Sequence, residues 1–233
     1  MPTELDHADE GGALKRSIMP PYLVLRDFLP EEMVAGLLDY ALAHQSDFAP
    51  TKIGSMAVNP SVRVSVSLPD LGQYRQPLKT RIFEQLPQLI AELRVNPVES
   101  PKLETELVAH GDGAFYKRHI DTQTAQYDDV KQIRALSGVY YFHAEPKAFT
   151  GGALRLFAIG AEPAPYVDIE PVRNSLLVFP SWVPHEVRPV SCPTNQFIDS
   201  RFAINCWVSR TKNALANLDA GAKFDTPKIS GSP

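Results

Sequence analysis

In the stretch GDGAFYKRHIDT, residues 111–122, His119 and Asp121 sit two positions apart, just after a glycine-rich turn. On a β-strand, residues i and i+2 share a face, so this spacing aims an imidazole and a carboxylate at one point. A nitrogen and a hard oxygen converging in that way suit a divalent transition metal. Taken alone, the pair also fits two solvated residues at a strand end. A metal would need a third protein ligand from a later strand. FPSWVPHEVRPV, residues 179–190, supplies His185 on an expected strand after a proline-limited turn.

Two imidazoles and one carboxylate hold one face of an octahedron and leave three positions open. Non-haem Fe(II) oxygenases use this set, with the open positions for co-substrate and dioxygen. Many such enzymes take 2-oxoglutarate, whose far carboxylate needs a cation, and a planar arginine fork matches it. Arg201, in DSRFAINCWV, lies on the strand after His185. Without context it equally fits a surface arginine at a strand start.

These residues need a scaffold, and the chain supplies a β-rich one. After Pro101 come strand-like pieces in series: KLETELVAH, AFYKRH, LSGVYYFH, ALRLFA, PYVDIEP, SLLVFP, HEVRPV and RFAINCWV. Many short strands separated by turn residues indicate a sandwich or barrel. The expected core, residues 102–208, is a mainly β, double-stranded β-helix of the jelly-roll, cupin-like kind. A helical flank precedes it over residues 30–95. Met33, Val34, Leu37, Leu38, Ala41 and Leu42 recur at helical spacing, so residues 30–45 read as a helix that Pro30 opens. Leu78, Ile82, Phe83 and Leu86 mark a second, with a break or kink expected at Pro87. SVRVSVSL, residues 61–68, alternates. Its valines are expected to face the core, and Arg63, Ser65 and Ser67 the solvent. Residues 1–18 read as a flexible leader, 19–210 as one domain and 211–233 as a loosely held tail.

The 233 residues are 44% hydrophobic, enough for one sizeable core, and the 21 prolines argue against a helical bundle. A net charge of -4 gives no basic surplus for nucleic acid or an anionic membrane. The acidic start MPTELDHADEGG lacks the apolar stretch of a secretory signal, and no run approaches a membrane span. Cys192 and Cys206 give neither a disulfide framework nor zinc-finger spacing, so they read as reduced packing residues of a cytoplasmic protein.

HEVRPV followed by SRFAINCWV resembles the C-terminal part of the prolyl 4-hydroxylase type of 2-oxoglutarate- and Fe(II)-dependent dioxygenases, with the strongest likeness to hypoxia-inducible-factor prolyl hydroxylases. GDGAFYKRHID is similar to their segment with the first histidine and the aspartate, and GVYYFH to their Tyr-Tyr strand. GGALRLF, VDIEP and SLLVFPS recur in the same order, so the likeness spans residues 103–208. The resemblance implies His119, Asp121 and His185 as iron ligands and Arg201 as partner of the far carboxylate. It also implies that Tyr141 donates a hydroxyl to that carboxylate and that Leu154 lines the apolar wall beside it. Trp207 falls where the family has a tryptophan near the substrate. Tyr116 and Arg134 join it as candidate substrate contacts.

Two departures from the family pattern stand out. His110 occupies the place of a tyrosine near the co-substrate, where it donates a similar hydrogen bond or adds a pH-dependent charge. VSCPTNQFID, between His185 and Arg201, is longer than usual; if the register shifts, Arg188 becomes the rival carboxylate partner. His7, His44 and His143 read as ordinary surface or packing residues. The expected activity is hydroxylation of a prolyl residue in a protein or peptide, with Fe(II), 2-oxoglutarate, dioxygen and ascorbate as reductant. A free amino acid or small metabolite as substrate, and a non-catalytic cupin-like binding module, are the alternatives. The polar segment TQTAQYDDVKQIRA after Asp121 is expected to form a substrate lid.

Overall fold

A computed structural model of the chain describes residues 4–8, 14–53, 57–122, 132–160 and 162–211. In chain order, β1 (Glu4–Ala8), β2 (Leu14–Ile18) and β3 (Leu23–Arg26) precede helix α1 (Glu31–Ala43). The short strands β4 (Ala49–Pro50), β5 (Arg63–Val64) and β6 (Val66–Leu68) lead to helix α2 (Arg75–Leu93). Strands β7 (Lys102–His110), β8 (Phe115–His119), β9 (Gln132–Tyr141), β10 (Thr150–Gly151) and β11 (Leu154–Phe157) follow. The series closes with β12 (Tyr166–Ile169), β13 (Ser175–Pro180), β14 (His185–Val187), β15 (Val190–Ser191) and β16 (Arg201–Thr211).

The strands form a seven-stranded sheet in the order β3-β13-β9-β16-β7-β6-β4 and a five-stranded sheet in the order β12-β11-β14-β8-β5. All pairings are antiparallel, as the expected jelly roll requires. Alternation along the central strands assigns side chains to two layers. On β16, Phe202, Ile204 and Cys206 join Leu37, Leu78, Ile82 and Leu89 of the two helices in one core. Ala203, Tyr141, Leu154, Leu177 and Phe179 form a second core between the sheets. The adjacent Tyr140 and Tyr141 therefore serve opposite layers. The helices cover one face of the large sheet, and the other face is free to build a cavity with the small sheet.

Three features differ from the sequence expectation. Helix α2 runs unbroken through Pro87, because Leu78, Ile82, Leu86, Leu89 and Leu93 bury one continuous stripe on both sides of it. Within the expected flexible leader, β1 and β2 pair as a hairpin, and Ile18 bridges to Ile159. SVRVSVSL is split between the two sheets with its faces exchanged: Arg63 is 7% exposed and Val64 37%. Arg63 is drawn inward by Glu106 at 3.1 Å, by Ser65 Oγ at 2.9 Å and by the Tyr116 ring beneath its guanidinium. Residues 123–131 of the expected lid and nearly all of the expected tail lie outside the described residues. Among the described residues, no helix is long and apolar enough to cross a membrane.

Candidate active site

Strands β8 and β14 pair so that His119 and His185 are direct cross-strand neighbours, with ring centroids 4.2 Å apart. Strand β8 ends at His119, so Asp121 is not placed by the strand pleat. The backbone N–H groups of Asp121 and Thr122 instead both donate to the Ser181 carbonyl, each at 3.0 Å, and this turns the carboxylate back onto the imidazoles. Asp121 Oδ1 lies 3.6 Å from His119 Nε2, and Oδ2 lies 3.6 Å from His185 Nε2. The three ligand atoms are all within 4.8 Å of one another, and a small inward adjustment would let them share one ion, since two atoms bonded to it at about 2 Å stand at most about 4 Å apart.

The surroundings fix each ligand in its coordinating form. His119 Nδ1 donates to the Lys117 carbonyl at 2.8 Å and His185 Nδ1 to the Val183 carbonyl at 2.9 Å. Each Nε2 is thereby left as a lone-pair donor facing the carboxylate. Burial, reinforced by His185, pushes His119 down to about 3, so its ring is neutral near pH 7. Burial tends to raise the Asp121 carboxyl. The His185 and His119 rings, the Ser137 hydroxyl and Trp207 more than offset this and hold it below the ordinary carboxylate value. Ser137 Oγ donates to Asp121 Oδ2 at 2.7 Å and is itself 2.9 Å from Ser181 Oγ.

A cavity of about 190 Å³ opens beside the triad, between the two sheets. At one end β16 and β7 pair Arg201 with His110, and both line the cavity with Leu154. Arg201 is 1% exposed. Its Nε donates to the Gly152 carbonyl at 2.7 Å and Nη1 to His110 Nδ1 at 3.3 Å, while Nη2 is buried with no partner. The Tyr141 hydroxyl is a second buried polar group; it faces the Arg201 guanidinium without a hydrogen bond of full geometry, on a ring whose centroid is 4.9 Å from the guanidinium carbon. Two buried donors that satisfy each other poorly are costly, and a carboxylate between them would satisfy both. Gly152 permits this packing: at φ +70 a Cβ there would sit 2.6 Å from Arg201 Cδ.

The structure thus brings His119, Asp121, His185, Arg201, His110 and Leu154 to one cavity, with Tyr116, Arg134 and Trp207 at its other end and Tyr141 packed against Arg201. Tyr116 stacks on His119 at 3.6 Å, and the Arg134 guanidinium lies 4.0 Å over Trp207. Arg188 is 43% exposed and paired with Glu186 at 2.8 Å, outside the cavity. The long link before Arg201 is absorbed by a turn and a short 3-10 helix, Phe197–Asp199, without a register shift at Arg201. Burial, followed by the charges of Arg201 and Arg63, pushes His110 well below its ordinary value, so it acts as a neutral acceptor for Arg201.

Sequence reading missed Ser137, Ser181, Gly152, Glu106 and Asn205, and placed Arg63 on the wrong face. Glu106 takes hydrogen bonds from Arg63 and Asn205 on the cavity wall. Asn205 was recoverable, because it shares the period-2 face of Arg201 and Trp207. His143, expected at the surface or in packing, is buried against Phe149.

Residues 105–209 match the family model described as the 2OG-Fe(II) oxygenase superfamily. An uncharacterised PKHD-type hydroxylase of Synechocystis sp. is 37% identical over 143 residues, which are 58% of this chain and 46% of the relative; the chain thus spans about half that protein. A prolyl-4-hydroxylase crystal structure from Pseudomonas putida superposes with a TM-score of 0.58 at 24% identity, over 81% of this chain and 92% of that one. A prolyl hydroxylase from Trichoplax adhaerens, solved with a hypoxia-inducible-factor peptide fragment, gives 0.62 at 19% identity, over 84% and 86%. The family implies Fe(II), 2-oxoglutarate and dioxygen, and the imidazole–carboxylate–imidazole triad suits Fe(II). Residues 105–209 are thus similar to the 2OG-Fe(II) oxygenase superfamily, and the chain shares the fold of the prolyl 4-hydroxylases.

Proposed function

We propose that the chain is an Fe(II)- and 2-oxoglutarate-dependent hydroxylase acting on a prolyl residue of a protein or peptide. The observation that carries the co-substrate is Arg201, buried in the wall of the cavity that holds the triad with its Nη2 unpartnered, and the Tyr141 hydroxyl buried behind it. His119, Asp121 and His185 would hold the metal. Fe(II) with 2-oxoglutarate supplies oxidation of a C–H bond by dioxygen, with succinate and carbon dioxide as co-products. Arg201 and Tyr141 orient the 2-oxo acid by its far end, and Leu154 and Val139 keep water from its stem. Neutral His110 relays the position of Arg201 without adding charge.

The size of the cavity supports a polypeptide substrate. About 190 Å³ is below the roughly 300–1,000 Å³ typical of pockets that enclose a whole small molecule, and the co-substrate must share it. A residue-sized group can enter while the rest of the substrate stays outside, against Tyr116, Arg134 and Trp207. The P. putida and T. adhaerens proteins, named as prolyl hydroxylases, favour proline as that group. The test is mass spectrometry of a proline-containing peptide library treated with protein, Fe(II), ascorbate and 2-oxoglutarate. A gain of one oxygen on proline supports the reading. Oxygen gained only by free amino acids or metabolites would replace it with the small-molecule alternative.

A further inference from the structure

A second cavity, of about 300 Å³, adjoins the first. Arg134 lines both. Thr122 and Trp182, each next in sequence to a residue that builds the triad, line the second cavity as well. Its charge is one-sided. Arg94, Arg134 and Arg210 line it, and no carboxylate does among the described residues. Arg134 is neutralised by Glu104 at 2.7 Å. Among the described residues, Arg94 and Arg210 have no carboxylate partner, and Arg210 Nε is buried without a hydrogen bond. Trp182 is 48% exposed at the same place.

Arg210 runs against the rest of the molecule. The chain carries a net charge of -4, and its half-buried Arg155 and Arg173 are paired with carboxylates, whereas Arg210 is not; Arg94 adds a second, exposed guanidinium at the same cavity. A cleft lined by one sign of charge concentrates ligands of the opposite sign. Guanidinium groups without partners, beside an exposed indole, are the composition by which proteins grip carboxylates and adjacent apolar stems.

We propose that this second cavity is an accessory subsite for an acidic segment of a polypeptide substrate, a few residues from the residue presented at the triad. Arg94 and Arg210 take its Asp or Glu carboxylates, and Trp182 covers the backbone between them. Sharing Arg134 makes the two cavities neighbours, and an extended peptide advances about 3.3 Å per residue, so a short spacing is expected. That position rests on the hydroxylase reading of the first cavity; the preference for acid does not.

The test uses the full chain with Mn(II) and 2-oxoglutarate and fluorescein-labelled peptides read by anisotropy. Two probes carry Ala-Pro-Ala with a run of glutamates either before or after it, and control probes carry glutamine or lysine in place of glutamate. The expected result is binding of at least one glutamate probe about tenfold or more tighter than its glutamine control at low salt, weakened by added salt. Arg94→Glu/Arg210→Glu should abolish that preference without changing Mn(II) and 2-oxoglutarate affinity. Arg94→Gln/Arg210→Gln serves if charge reversal prevents folding. Equal binding of glutamate and glutamine probes overturns the proposal, as does a preference that survives the double variant. So does a preference seen only after Asp128→Asn/Asp129→Asn, which would make the chain's own acidic segment the occupant. Because the assay needs no turnover, absence of succinate formation would sink the hydroxylase reading and leave this result standing.

Discussion

Replacing Arg201 by Met should remove most of the affinity for 2-oxoglutarate and leave metal binding in place. Methionine keeps the apolar stem but removes the donors now given to the Gly152 carbonyl and His110, together with the unpartnered Nη2. The site is almost dry, with Arg201 1% exposed, so solvent screening offers little compensation. Truncating one partner of a buried, hydrogen-bonded charge pair costs about 2–5 kcal/mol. At tenfold per 1.4 kcal/mol, the dissociation constant should rise roughly 30-fold to several thousand-fold. Arg201→Lys keeps the charge but not the fork and should fall between the two. Isothermal titration of 2-oxoglutarate into Mn(II)-loaded protein reads this directly, with Mn(II) affinity and thermal melting as controls. Arg188→Met, at an exposed site outside the cavity, should change nothing. Unchanged 2-oxoglutarate affinity in folded, Mn(II)-binding Arg201→Met protein would refute the assignment.

Ser137→Ala removes the hydroxyl that holds Asp121 Oδ2 and should lower Mn(II) affinity by about 10- to 100-fold, the usual effect of losing a partner of a metal ligand; titration with Mn(II) checks it. Gly152→Ala should cost about 1–3 kcal/mol of stability by overpacking and weaken 2-oxoglutarate binding, because its Cβ would displace Arg201; melting and titration report the two effects. His110 sets a pH dependence. Its folded value lies well below the 6.5 of an unfolded histidine, so above pH 6.5 both states are neutral and the fold loses nothing. As pH falls below that point the unfolded chain takes a proton that the fold refuses, and stability should drop by at most about 1.4 kcal/mol per pH unit from this group. Denaturant titrations of wild-type and His110→Asn protein between pH 7 and 5 should show a shallower loss in the variant.

The parts of the site that sequence made legible are those in which one residue type has one use. The His119–Asp121 spacing, the later His185 and the arginine-to-tryptophan interval of RFAINCWV each point to chemistry by type and order. The strands of the core were legible because their alternation is strong and their turns are marked by glycine and proline. What escaped was whatever depends on tertiary partners. Alternation in SVRVSVSL does not say which face is inward, and a buried Arg63–Glu106 pair reversed the hydrophobic rule there. Pro87 reads as a helix breaker, yet the leucine stripe on both sides of it carries α2 through. Ser137 and Ser181 are ordinary strand and turn serines in sequence. Only the fold shows that they hold the aspartate.

The most direct test of the account is conversion of 2-oxoglutarate to succinate, followed by NMR in air with Fe(II) and ascorbate, for the wild-type chain and for His119→Ala, Asp121→Ala and His185→Ala. The account predicts Fe(II)-dependent succinate from the wild type, slow even without substrate, and none above background from any of the three variants. Wild-type protein that binds Fe(II) and 2-oxoglutarate but forms no succinate would contradict it, as would variants that form succinate at the wild-type rate.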